Sequence, residues 1–87
     1  MEKKFAIRWG EKAWDELKKL EPLIAKRITQ KVAELSKNPF SLDVKRLKGE
    51  KAFRLRIGDY RIIFGIEKEK INILKVGHRK DIYKKYK

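Results

Sequence analysis

The fold is decided by the stretch FRLRIGDYRIIF, residues 53–64. Two runs of alternating side chains flank a Gly-Asp dipeptide, which is typical of a two-residue β-hairpin turn. Such a turn sets three apolar pairs across the hairpin: Ile57 with Tyr60, Leu55 with Ile62 and Phe53 with Phe64. One face of the hairpin is therefore predicted to be core. A one-residue slip would scramble these pairs, which supports this register over its neighbours.

The opposite face of the same hairpin carries positive charge. Arg56 lies directly across from Arg61, and Arg54 lies across from Ile63. Like charges at opposed positions destabilise a sheet by roughly 0.2–1 kcal/mol, so folding alone gives no reason for this grouping. Because a guanidinium group binds phosphate through two parallel donors, we interpret the face as a phosphate site. The alternative is a solvated face on which an arginine pairs with a nearby acidic residue, Glu67, Glu69 or Asp81.

The N-terminal half predicts one strand followed by two helices. Apolar and charged residues alternate over residues 3–9, which is typical of a strand. A short helix is predicted from about residue 11, and Pro22 favours the first turn of a second helix that ends near residue 37. The predicted apolar stripes are Trp14, Leu17 and Leu20 on the first helix and Ile24, Ile28, Val32 and Leu35 on the second.

The C-terminal half has the two-residue period of strands. Residues 44–47 are predicted as a short strand, followed by the hairpin and by a last strand over residues 70–76. In that last strand Ile71 and Ile73 share one face and Leu74 and Val76 the other, so its parity leaves the register open. Residues 1–87 are thus predicted as a single α+β domain: an N-terminal strand, a two-helix hairpin, then a three- to four-stranded, mostly antiparallel sheet.

Composition excludes several classes of protein. The chain has 87 residues, no cysteine and one histidine, which excludes disulfides and makes a zinc site improbable. Its acidic residues form no cluster in the sequence, so no metal and no cofactor is predicted. The sequence contains no uncharged stretch long enough for a membrane helix or a signal-peptide core. A cytoplasmic protein without membrane contact is therefore expected.

Charge points to a polyanionic partner. The formal net charge is +13, with ten basic and seven acidic residues in residues 1–43 against fifteen and five in residues 44–87. Such a concentration of one sign repels itself unless a polyanion or an acidic protein neutralises it. Nucleic acid is the leading candidate for the partner.

The segment after the last strand adds groups capable of proton chemistry. It contains His78, Arg79 and Tyr83. RNA can be cut without metal, because its own 2′-hydroxyl can attack the neighbouring phosphate when a base removes the proton and cations offset the developing charge. Arginines with either Tyr83 or His78 as the base would suffice for this reaction. The alternatives are that His78 is a solvated strand-end residue and that Tyr83 packs the C-terminus against the sheet.

Three sequence elements resemble the RelE/ParE superfamily of toxins, and its RelE-like branch in particular. They are L-x-G at residues 47–49, R-x-G-D-Y-R at residues 56–61 and G-H-R-x-x-x-Y at residues 77–83. The resemblance implies the toxin of a type II toxin–antitoxin pair that is a metal-independent endoribonuclease. Members of this branch cut mRNA in the ribosomal A site and so inhibit translation. The implied partners are the ribosome, mRNA and an acidic, RelB-like antitoxin.

The same resemblance implies a role for each site residue. Lys48, Arg54 and Arg56 would contact RNA phosphates, and Arg61 would stabilise the transition state. Arg79 would assist Arg61 and the leaving group, and Tyr83 would take the proton of the 2′-hydroxyl, with His78 as the alternative catalytic base. Arginine at positions 54 and 56, where some members have lysine, restricts those residues to electrostatic roles.

Two rival functions remain open at the level of sequence. The ParE branch shares the expected fold and inhibits DNA gyrase by binding, without cutting nucleic acid. A basic module that binds RNA or DNA without catalysis would also account for the charge. The joint presence of Arg61, Arg79 and Tyr83 favours the ribonuclease.

Overall fold

The computed structural model describes residues 4–40, 43–47 and 51–82, and these form two helices packed on one five-stranded sheet. The elements are β1 (Ala6–Trp9), α1 (Glu11–Lys18), α2 (Pro22–Leu35), β2 (Val44–Arg46), β3 (Phe53–Ile57), β4 (Tyr60–Glu67) and β5 (Lys70–His78). The strand order is β1-β5-β4-β3-β2, and only the pair β1 and β5 is parallel. The predicted α+β class is confirmed, with slightly more strands than the three to four expected.

The central hairpin has the predicted register. All three apolar pairs are present, and Arg56 lies opposite Arg61 as expected. Gly58 has φ +59° while Asp59 does not have positive φ, which matches a type II′ turn with glycine at its first central position. On the helix-bearing side, Leu55, Ile62 and Phe64 are almost fully buried. Alternating side chains thus build the core on one side and leave the other side for charge.

The two helices cover that apolar face. In α2 the predicted stripe is largely confirmed, because Ile28, Val32 and Leu35 are buried and Ile24 is partly buried against them. In α1 the expected position of Trp14 is wrong: its side chain is 44% exposed, and its ring lies edge-on to Trp9. The inward row of α1 instead runs through Ala13 and Leu17, which are one helical turn apart.

A β-bulge settles the register of the last strand. Ile63 pairs with Lys75 but its neighbour Phe64 pairs with Ile73, so Leu74 is the extra residue on β5. Because the bulge reverses the alternation, Val76 returns to the same side as Ile73, and both are buried. Sequence parity alone could not show an inserted residue. Past this point β5 continues to His78, two residues beyond the predicted end.

The parallel strand β1 covers only part of β5. It pairs with Lys70–Ile73, and the backbone N–H of Val76 instead donates to a carboxylate oxygen of Glu16 from α1, at 2.9 Å. The second carboxylate oxygen of Glu16 accepts from the ammonium group of Lys75, at 3.0 Å. The Glu16 side chain thus accepts the hydrogen bond that a neighbouring strand would otherwise accept at this edge of the sheet. Neither helix in the described part of the chain is long and apolar enough to cross a membrane.

Candidate nucleic-acid interface

The side of the sheet away from the helices gathers four arginines, which we call the arginine face: Arg54, Arg56, Arg61 and Arg79. Strands β3 and β4 place Arg56 opposite Arg61, and Arg61 in turn lies opposite Gly77 of β5. Arg79 follows directly after β5, at the hairpin turn. The hairpin register predicted from sequence therefore brings the first three together. The tertiary structure adds the fourth.

One carboxylate links the first two arginines. Asp43, just before β2, approaches Arg56 Nε at 2.8 Å and Arg54 Nη2 at 3.5 Å with its two oxygens. Its backbone carbonyl also accepts the N–H of Arg56, at 3.0 Å. In the described part of the chain, Arg54 and Arg56 thus pair with Asp43, a residue that the sequence had not suggested as their partner.

The hairpin turn anchors the other two arginines. Arg61 Nη1 donates to the carbonyl oxygens of Gly58 and Tyr60, at 2.9 and 3.0 Å. The backbone N–H of Arg79 donates to the carbonyl oxygen of Asp59, at 2.8 Å, and its Nε lies 3.6 Å from the Asp59 carboxylate. Since a guanidinium group has five N–H donors, most of those on both side chains remain for a ligand.

A small apolar cluster lies on the same side of the sheet as the arginines, next to Arg54. It consists of the buried residues Ala52, Ile63 and Ile82, with Leu47 packed against them. Ile82 packs so closely over Gly77 that a Cβ there would meet its Cδ1 at 3.1 Å. The segment leading to Tyr83 therefore folds back over the sheet beside Ile63. The contact with Ile63 holds Ile82 against this side of the sheet.

His78 lies apart from the arginines. It pairs across the sheet with Tyr60, and the two rings meet edge-to-face with centroids 5.4 Å apart. Tyr60 packs against the helix-bearing core, so the alternation of side chains puts this pair on the other side of the sheet from Arg61. His78 Nδ1 also accepts the backbone N–H of Lys80, at 3.1 Å. That contact fits the strand-end role considered for it from sequence.

Two predicted site residues, Lys48 and Tyr83, lie outside the described residues. Within residues 4–40, 43–47 and 51–82, no group of three histidine, cysteine or acidic side chains is placed to hold a metal ion. The arginine face offers guanidinium groups, which attract and orient phosphate.

Sequence reasoning missed one feature of the site and one contact at the neighbouring sheet edge. The first is Asp43, whose role depends on β2 pairing with β3 so that Lys45 lies opposite Arg54. A three-residue strand carries too little periodicity to reveal its register. The second is the ion pair of Lys75, a side chain only 8% exposed, with Glu16. Those residues are 59 positions apart, and no local pattern connects them.

Comparisons with known proteins agree with the resemblance noted in the sequence. Residues 7–83 match the family described as ParE toxin of type II toxin-antitoxin system, parDE. Toxin RelE3 of Methanocaldococcus jannaschii is 37% identical over 73 residues, which cover 78% of this chain and 83% of that protein.

Solved structures show the same similarity in three dimensions. The toxin–antitoxin complex RelBE2 of Mycobacterium tuberculosis contains a chain that superposes with a TM-score of 0.81 at 30% identity, over 93% of this chain and 98% of that one. A chain of the RelB–RelE antitoxin–toxin complex of Methanococcus jannaschii gives 0.76 at 30% identity, over 92% and 99%.

Proposed function

Because this chain belongs to the RelE/ParE superfamily of toxins from type II toxin–antitoxin systems, we propose that it is a metal-independent endoribonuclease that cleaves mRNA in the ribosomal A site. The observation that carries the proposal is the arginine face. Four guanidinium groups are gathered on one side of the sheet, and their charges are only partly offset by Asp43 and Asp59. Such a surface is suited to a phosphodiester whose charge increases during reaction.

The proposed reaction uses the nucleophile of RNA itself. Tyr83 removes the proton of the 2′-hydroxyl, and the 2′-oxygen forms a bond to the adjacent phosphorus. The bond from phosphorus to the 5′-oxygen then breaks and that oxygen takes a proton from water, which leaves a 2′,3′-cyclic phosphate and a 5′-hydroxyl end. Arg61 stabilises the charge on the phosphorane, and Arg79 stabilises the departing oxygen. The hydrogen bonds of the Arg61 guanidinium to the hairpin turn support its role, because they hold it in place before RNA arrives.

Tyr83 is preferred to His78 as the base. His78 packs with Tyr60 on the helix-bearing side of the sheet, and its Nδ1 already accepts a backbone N–H. Ile82, the residue that precedes Tyr83, packs on the arginine face instead. In this proposal His78 supports the end of β5, and Tyr83 performs the proton transfer.

Three further basic residues of the proposed site bind RNA without taking part in the cleavage reaction. Arg54 and Arg56 contact backbone phosphates, and we assign the same role to Lys48 on the basis of the family resemblance. Contacts of this kind release condensed counterions, so RNA binding should weaken steeply as salt is added. An RNA affinity that does not change with salt would remove this part of the proposal.

The proposed protein partner is an acidic, RelB-like antitoxin. Both structures described above are complexes of a RelE toxin with a RelB antitoxin, and this chain covers nearly all of the matched toxin chain in each. The net charge of +13 fits an acidic partner that masks the arginine face. The toxin would act in the cytoplasm, where it meets translating ribosomes.

A second candidate function is inhibition of DNA gyrase by binding, as in the ParE branch. The matching family is described as ParE toxin, which is the observation that favours it. A binding protein of this kind would not need a proton-transfer group or Arg61. Cleavage of messenger RNA therefore distinguishes the two functions.

The test is a translation reaction on a defined messenger, with cut sites mapped by primer extension. Wild-type protein should give cuts within codons on translated messenger and none on the same RNA without ribosomes. Tyr83→Phe should cut more slowly while still binding ribosomes, and His78→Ala should cut at nearly the wild-type rate. Cleavage lost in His78→Ala but kept in Tyr83→Phe would reverse the assignment of the base. Absence of cuts together with loss of gyrase supercoiling activity would establish the second function instead.

A further inference from the structure

The contact between Asp43 and two arginines occupies the surface where RNA phosphate would bind. The carboxylate presents one oxygen to Arg56 Nε and the other to Arg54 Nη2, at 2.8 and 3.5 Å. Two oxygens of a phosphodiester could be received by the same two arginines, because guanidinium groups donate to phosphate oxygens as they do to carboxylate oxygens. Asp43 therefore has the charge and shape of an internal substitute for phosphate.

The position of Asp43 is fixed by the backbone. Its carbonyl oxygen accepts the N–H of Arg56, which extends the ladder between β2 and β3 by one bond. This bond places the Asp43 side chain beside Arg54 and Arg56 in the free protein. An incoming phosphate has to share these donors with a fixed negative charge or move the side chain away.

Burial shows what Asp43 does in the free protein. The side chain of Arg54 is only 13% exposed, whereas those of Asp43 and Arg56 are 44% and 56% exposed. A charged side chain with this little surface in contact with water is stabilised by a nearby opposite charge. Among the described residues, Asp43 is the acidic group that supplies it. Without the carboxylate, Arg54 would be an uncompensated cation close to the surface.

We propose that Asp43 is a placeholder for RNA phosphate: it holds Arg54 and Arg56 ready in the free toxin and lowers the affinity for RNA by competing for their donors. The inference rests on the proposed RNA-binding role of this face and not on cleavage. It gives a pre-organised site with moderate affinity, which would help a toxin leave one messenger and reach another. A phosphate that enters the site also takes over the neutralisation of Arg54.

The experiment measures binding of a short 2′-O-methyl RNA, whose blocked hydroxyl prevents cleavage, by fluorescence anisotropy over a range of salt concentrations. We expect Asp43→Asn to bind about two- to fivefold more tightly than wild type, the range set by a partly exposed ion pair. Its salt dependence should steepen by up to roughly 0.7 in log–log slope, because in the wild type the carboxylate already neutralises one of the positive charges that RNA phosphate would neutralise in the variant.

Asp15→Asn is the matched control. Asp15 pairs with Lys18 on α1, both side chains are well exposed, and the substitution raises the net charge by the same amount. It should leave the salt slope unchanged and shift the affinity far less than Asp43→Asn does. Equal effects of the two substitutions would mean that net charge alone is responsible, and the placeholder role would be overturned.

A thermal measurement keeps the inference testable if Asp43→Asn folds poorly. The free variant should melt below the wild type, and the same RNA should raise its melting temperature by more than it raises that of the wild type, since phosphate replaces the missing carboxylate. Weaker RNA binding by the variant, or no extra stabilisation, would show that Asp43 only supports the fold. Wild-type protein that binds no RNA even at low salt would remove the proposed function as well.

Discussion

The two sides of the sheet have different physical roles, although the same strands form both. On the helix-bearing side, apolar residues of β3, β4 and β5 pack against α1 and α2, and nearly all of that surface is removed from water. On the arginine face, guanidinium groups stand in partial contact with solvent around a cluster of only a few apolar residues. One side therefore supplies stability and the other supplies charge, and substitutions on the two sides should separate folding from activity.

The largest effect is expected at the centre of the helix-bearing side. Phe64 is fully buried and its ring stacks on that of Phe53, with centroids 5.6 Å apart. Phe64→Ala should lower the free energy of unfolding by about 3–5 kcal/mol, because it removes transfer free energy and leaves a cavity. Denaturant unfolding followed by circular dichroism measures this. A loss below about 1 kcal/mol would show that this side does not dominate stability.

The next effect concerns activity on the arginine face. Arg61→Ala should slow cleavage of translated messenger by roughly 100- to 1,000-fold, the cost of removing one group aimed at transition-state charge. Its stability should change by less than about 1 kcal/mol, because the lost hydrogen bonds are offset by relief of repulsion from Arg56. Cleavage rate and melting temperature are measured on the same preparation. A loss of stability that accounts for the lost activity would break the proposed division between the two sides.

The third effect is at the sheet edge that joins the two sides. Glu16 accepts from both Lys75 and the Val76 N–H, and both partners are donors. In Glu16→Gln the amide nitrogen must face one of them, which leaves a buried donor unpaired and costs about 1–3 kcal/mol.

Glu34→Gln serves as its control, because Glu34 pairs with Lys31 at 3.8 Å on an exposed helix surface. That substitution should cost less than about 0.5 kcal/mol. Thermal unfolding of the two variants measures both effects. Equal losses in the free energy of unfolding would show that the contact of Glu16 with β5 contributes no more than an exposed ion pair.

The smallest effect tests the apolar cluster of the arginine face. Ile63 is fully buried although it lies opposite Arg54 on that face. Ile63→Val should lower the free energy of unfolding by about 0.5–1.5 kcal/mol, as expected for one buried methylene group. Messenger cleavage should be nearly unchanged. A large loss of cleavage with little loss of stability would mean that the cluster positions the C-terminal segment for the reaction.

Features that depend on residues close together in the sequence were predicted correctly, and features that depend on distant residues were not. The hairpin register was predictable because a two-residue turn and the alternation of Leu55, Arg56 and Ile57 are local signals that support each other. The second helix was predictable from its apolar spacing. The exposure of Trp14 was not, because a three-residue spacing does not show which row of a short helix faces the sheet. The extra residue in β5 was hidden for a similar reason, since a bulge reverses the alternation that prediction relies on.

By itself, the sequence determined that this is a basic α+β domain with arginines opposed across a hairpin, and its motifs placed it beside the RelE/ParE toxins. These properties depend on amino-acid composition, on the alternation of side chains and on short motifs, all of which can be read without knowing which distant residues are in contact. Only the tertiary structure decided that Asp43 reaches Arg54 and Arg56, that Arg79 joins Arg61 at the hairpin turn, and that His78 lies on the other side of the sheet. Each depends on pairing between segments far apart in the chain, where the geometry of the whole sheet sets which side chains meet.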